Sequence, residues 1–145
     1  MEKSYVIDAN ILFSALISGK VFYQQIFRKF QLYAPEFILK ELAIYNDTIQ
    51  TKSKIQAPEL SKLSRKLFSE LIILPDLSLT LDSLNSAKFL CNKIDPKDIA
   101  YVALTIELGC TLLTRDKKLH EGLKKQEFNN VMLFDEFLRI AMSDE

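Results

Sequence analysis

Tyr5-Val6-Ile7-Asp8-Ala9-Asn10-Ile11-Leu12-Phe13 is the stretch whose reading decides the fold. A short apolar run of the kind that forms a buried strand stops at a carboxylate, and a helix-like run opens behind it. Asp8 is thereby placed where strand gives way to helix. Open α/β sheets hold their ligands just beyond such strand ends. One acid there means little, whereas a cluster of acids needs a cation.

Working outward, the 145 residues fit one domain over 1–145, a size that buries roughly two-thirds of the surface its unfolded form exposes. Apolar residues make up 48% and charged residues 26%, which matches a soluble globular chain and excludes extensive disorder. The N-terminal apolar run is interrupted by Asp8 and Asn10 and has no basic leader. No later run approaches the ~20 apolar residues that span a bilayer, so a soluble, cytoplasmic protein with no membrane attachment is expected. Cys91 and Cys110 have apolar neighbours and no CxxC or Cys/His spacing, and are expected to be reduced core thiols. The lone His120 excludes a His-rich metal site. Nineteen basic residues balance nineteen acidic ones, so any polyanion must be met by a local patch and not by net charge.

Periodicity and punctuation predict strands over 4–7, 31–34, 71–74, 111–114 and 131–134, and helices over 10–18, 21–30, 36–45, 58–70, 80–90, 99–108, 117–125 and 135–142. The polar stretch 46–56 reads as a loop or a frayed helix end. Their alternation gives an α/β chain with a central parallel sheet of four to five strands and helices on both faces. Asp95-Pro96-Lys97-Asp98 is a helix-start signal, with Asp95 at the cap and Asp98 in the first turn.

Each acid has an ordinary explanation. Asp8 and Asp116 satisfy free amides at helix starts, and Asp95 with Asp98 makes a cap and its first-turn partner. Glu41 is different, because Phe37, Ile38, Glu41, Leu42 and Tyr45 place it inside an apolar stripe, where a carboxylate is costly unless paired, protonated or coordinated. Taken together, Asp8 ends the first strand, Asp116 follows the fourth, Asp98 opens a buried helix and Glu41 faces inward from another. Two unit charges about 4 Å apart at an effective dielectric of ~20 repel by about 4 kcal/mol. Three or four ionised carboxylates would therefore oppose folding by as much as a domain's whole stability. A divalent cation removes that penalty, and an all-oxygen site suits Mg²⁺ or Mn²⁺ better than zinc.

Four motifs in order, Val6-Ile7-Asp8-Ala9-Asn10, Lys40-Glu41-Leu42, Asp95-Pro96-Lys97-Asp98 running into Tyr101-Val102-Ala103-Leu104, and Leu113-Thr114-Arg115-Asp116, resemble the PIN domain family of metal-dependent ribonucleases. The resemblance covers almost the whole chain and no core position departs from the pattern. It implies a three-layer α/β/α fold and an acidic site that binds Mg²⁺ or Mn²⁺ and hydrolyses RNA phosphodiesters. Asp8, Glu41, Asp98 and Asp116 fall on the family's acidic positions, as catalytic residues and metal ligands. Asn10 and Thr114 match its polar supports. Asp95 matches an acid that many members carry, although its role as a helix cap is the expected one.

Basic residues near the site, Arg115, Lys117 and Lys118 with Lys40 and Lys97, are candidates to meet the RNA backbone, or else simply form solvated faces. A free-standing chain of this kind resembles the toxin half of toxin–antitoxin pairs such as the VapC type, which implies a homodimer silenced by a cognate antitoxin. Phe22, Tyr23, Phe27 and Phe30 offer a contact surface for such a partner or belong to the core. Two other readings compete. One is a PIN-fold module that binds RNA or protein with weak or absent catalysis, against which the intact acids count. The other is a phosphoryl-transfer or response-regulator domain, against which the absence of a paired acid beside Asp8 and of a Gly-rich phosphate loop counts.

Overall fold

A computed structural model describes residues 3–143. Five strands, β1 (Ser4–Ile7), β2 (Gln31–Pro35), β3 (Ile72–Leu74), β4 (Thr111–Thr114) and β5 (Val131–Leu133), form one sheet in the order β3-β2-β1-β4-β5. Every pairing is parallel. The central strands are covered on both faces, which is why β1 and β4 bury three consecutive residues each and not alternating ones.

Eight helices flank the sheet among the described residues, giving the three-layer α/β arrangement: α1 (Ala9–Ser18), α2 (Val21–Lys29), α3 (Phe37–Lys52), α4 (Ala57–Glu70), α5 (Leu81–Cys91), α6 (Ile99–Leu108), α7 (Lys117–Lys125) and α8 (Phe134–Ser143). Helix α6 lies on β1, β2 and β4 with α5 packed over it. Its residues Tyr101 to Thr105 are all buried, as its nearly uniform apolar composition requires. An edge-to-face aromatic cluster of Tyr5, Phe30 and Phe137 ties β1 to α8 and to the end of α2. Cys91 and Cys110 are free, buried thiols. No helix among the described residues is long and apolar enough to cross a membrane.

One expectation changes, and one open alternative closes. Helix α3 does not stop near residue 45 but runs to Lys52, because Ile49 is buried and holds its last turns down while the polar residues around it form the outer face. Of the 46–56 stretch, read as a loop or a frayed helix end, the part to Lys52 is helix and the rest is a short connection. Its start packs so closely that a Cβ on Gly19, whose φ is +65°, meets Ile55 Cγ2 at 2.7 Å. Of the two readings of the aromatics of α2, core packing is the one that the structure takes. Tyr23, Phe27 and Phe30 are core residues, and Phe22 is half-buried and stacks on Tyr23.

Candidate active site

The centre of the sheet builds the site. β1 pairs with β4 up to Ile7 and Leu113, and the Asp8 N–H continues the ladder to the Leu113 carbonyl at 3.1 Å. Asp8 therefore leaves β1 beside Thr114, more than a hundred residues away in sequence. Asp8 caps α1, with Oδ1 accepting from the Asn10 N–H at 2.7 Å and Oδ2 accepting from the Thr114 hydroxyl at 2.5 Å. The same hydroxyl accepts from the Asp116 N–H at 3.0 Å, and Asp116 Oδ1 caps α7 through the Leu119 N–H at 3.1 Å. One buried threonine thus joins the two strand-end acids.

Thr114 reaches Asp8 through its side-chain hydroxyl. Asn10 supports Asp8 by another route, since its side chain is exposed and the bond comes from its backbone N–H. Asp95 is a cap, accepting from the Lys97 N–H at 3.0 Å to open a single 3-10 turn over Pro96–Asp98.

Glu41 projects half-buried from α3 and accepts a 2.5 Å hydrogen bond from the Tyr101 hydroxyl on α6. Tyr101 lies one helical turn beyond Asp98, on the same face. Asp98 Oδ2 is buried and has no hydrogen-bond partner. Orphaned buried acceptors of this kind are rare and call for an explanation.

The acids feel one another. Burial, then Asp8, Asp95, Asp116 and Glu41, push Asp98 up to about 7. Burial also raises Asp8, opposed by the bonds from Thr114 and Asn10 and reinforced by Asp116. Glu41 is raised by burial against the pull of Tyr101, with Asp8 and Asp95 adding and Lys97 subtracting. The thiol of Cys91, under the same loop, is pushed up to about 12 by burial, Asp98 and Asp95. The other three predicted acids all act on Asp98, so the four lie near one another at the carboxyl edge of the sheet. Yet among the described residues no three His, Cys, Asp or Glu side chains close into a cage around one point, and Asp8, Asp116 and Glu41 are each held by a local donor. The donor set is all oxygen, and the orphaned Asp98 Oδ2 is an acceptor in want of a cation or proton. Both features suit a hard divalent ion.

Of the nearby basic residues, Lys40, Lys97, Lys117 and Lys118 are exposed. Arg115 is engaged by the fold, with its Nη2 donating to the Tyr23 hydroxyl at 2.6 Å and its guanidinium over the Phe134 ring at 5.1 Å. Tyr101 is the site residue that sequence reasoning missed. Its spacing from Asp98 was the available signal, but a tyrosine in an apolar helix reads as core.

A family model described as PIN domain matches residues 6–134, from the third residue of β1 to the first of α8. The chain belongs to the PIN domain family. The same architecture recurs in a chain of the crystal structure of VapBC2 from Rickettsia felis bound to a DNA fragment from their promoter. That likeness has a TM-score of 0.56 at 16% identity and covers 90% of this PIN domain chain and 96% of that chain, so it is a likeness of fold. No curated protein matches this PIN domain significantly.

Proposed function

We propose that this PIN domain, acting as one unit over 1–145, is a metal-dependent endoribonuclease in which Asp8, Glu41, Asp98 and Asp116 hold Mg²⁺ or Mn²⁺ and water attacks an RNA phosphodiester. The observation that carries this reading is the unpartnered, buried Asp98 Oδ2 in the combined field of Asp8, Asp116 and Glu41. A divalent ion bound there supplies an acidified water and polarises the phosphoryl oxygen. The chain does the rest. Thr114 fixes the Asp8 carboxylate and, through the Asp116 N–H, the start of α7. Tyr101 holds Glu41 by Oε1, leaving Oε2 to take a proton from the attacking water. Lys117 and Lys118, exposed just after Asp116, meet the backbone phosphates.

The test is incubation with single-stranded RNA in Mn²⁺ or in chelator, with Asp8→Asn beside the parent chain. Cleavage lost in both chelator and variant is expected, and equal cleavage by the variant would overturn the reading. A PIN-fold module with weak or no catalysis is the competing reading, favoured by one observation, that the carboxylates do not close into a three-donor cage. Binding of RNA without cleavage in Mn²⁺ would establish it. The fold shared with a chain of VapBC2 supports a toxin role, with a homodimer, a cognate antitoxin and a cytoplasmic setting. Gel filtration with and without the product of the neighbouring gene checks that role, and a lone monomer that binds nothing counts against it.

A further inference from the structure

A cavity of about 360 Å³ opens beside the acids, lined chiefly by Phe37, Asp76, Leu79, Leu84, Lys97 and Ile99. Its lining comes from the carboxyl ends of β2 and β3 and from both sides of Asp98, so it shares the sheet edge on which the acids lie. Neighbouring parallel strands run about 4.8 Å apart. Phe37 follows β2 and Asp76 follows β3, so these two walls belong to strands one and two places over from that of Asp8, about 5 and 10 Å across the sheet.

We infer that this cavity receives one nucleobase of the RNA strand whose phosphate lies at the acid cluster, and that it selects a base carrying an exocyclic amino group. The inference rests on the nuclease reading above. Single-stranded RNA is recognised by bases splayed into apolar and aromatic surroundings and read along their edges. Phe37 supplies the aromatic wall, and its ring meets Tyr101, the residue holding Glu41, edge-on at 6.4 Å between centroids. Leu79, Leu84 and Ile99 supply the apolar remainder.

The two charged residues set the polarity. Lys97 lines the cavity and directly precedes Asp98 in the chain, so it offers a cation to a phosphate that spans cavity and acids. Asp76 follows β3, the strand farther from β1, and its backbone N–H is fixed by Glu36 Oε1 at 2.6 Å. A carboxylate there repels a second phosphate but accepts from the amino group of adenine, cytosine or guanine, which uracil lacks. An apolar peptide side chain fits the walls equally well, yet gains nothing from the acids alongside, whereas a nucleotide spans both.

The test sequences the cut sites made by the parent chain, Asp76→Asn and Leu79→Trp in a random RNA pool with Mn²⁺. The parent is expected to disfavour uracil at one fixed position by about tenfold, Asp76→Asn to lose that bias while still cutting, and Leu79→Trp to lose it by filling the cavity. Uniform base usage by the parent, or a bias unchanged in both variants, would overturn the inference while leaving the nuclease standing. If the parent cuts no RNA, the nuclease reading fails, and photolabelling with 8-azidoadenosine monophosphate reads the cavity separately. Label on Phe37 or on residues 96–100 that adenosine monophosphate competes away supports a base site. Label elsewhere, no label, or label displaced only by an apolar peptide overturns it.

Discussion

The hydroxyl of Thr114 donates to Oδ2 of Asp8 at 2.5 Å while accepting the N–H of Asp116, so one fully buried oxygen sets both strand-end acids. Thr114→Val keeps the shape and removes that oxygen, leaving a buried carboxylate oxygen without its donor and an amide without its acceptor. The metal-free chain should lose about 1–3 kcal/mol in urea unfolding and RNA cleavage should fall with it. Thr114→Ser should restore both, and a valine variant as stable and active as its parent would show that the bond carries nothing.

Tyr101→Phe isolates the role of the bond to Glu41. Stability should drop by about 1 kcal/mol, because Glu41 is only half-buried. The bond lowers the pKa of Glu41, so its removal should move the acid limb of the cleavage pH profile upward. A reduced rate with an unmoved profile would assign Tyr101 to packing alone.

Stability of the metal-free chain should fall with pH. Asp98, raised to about 7, and Asp8 and Glu41, raised as well, hold protons in the folded state that the unfolded chain has already released. That stabilisation is full below about pH 4 and is lost as pH climbs through the raised values. In chelator, the melting temperature should decline between pH 5 and 8 on this account, and Mn²⁺ should raise it more at pH 8 than at pH 5. Asp98→Asn should melt about 2–4 °C above the parent at pH 8 without metal and gain less from Mn²⁺. A variant that melts lower at pH 8 would mean that the Asp98 charge is already compensated.

Arg115 is already engaged by Tyr23 and Phe134, so it should contribute to the fold and not to RNA. Arg115→Ala should cost about 1 kcal/mol in stability with little change in RNA affinity. Lys117→Glu with Lys118→Glu should weaken binding and flatten its salt dependence. Filter binding at several salt concentrations distinguishes the two pairs of outcomes.

The elements were legible in the sequence where chemistry punctuates them. Pro35 and Pro75 bound β2 and β3, and Gly109 ends α6 in the left-handed conformation that its φ of +63° requires. The end of α3 was not legible, because a single buried residue, Ile49, anchors two turns of polar surface and a lone apolar residue leaves no periodic signal. The positions of Asp8 and Asp116 followed from strand ends, and their adjacency from the placing of β1 beside β4. Whether a support acts through side chain or backbone was beyond reach, as Asn10 shows. Tyr101 was hidden by its own apolarity, since nothing in its immediate neighbours distinguishes a ring with a partnered hydroxyl from one that only fills space.

The pairing of β1 with β4 also sets an order of assembly. Asp8 is made more than a hundred residues before its Thr114 donor and its neighbour Asp116. Long-range parallel pairing forms late, so a nascent chain carries its acids separated until the fourth strand docks. A premature stop between Asp98 and that strand yields a fragment that contains Asp8, Glu41 and Asp98 but no hydroxyl to bring the last acid alongside the first.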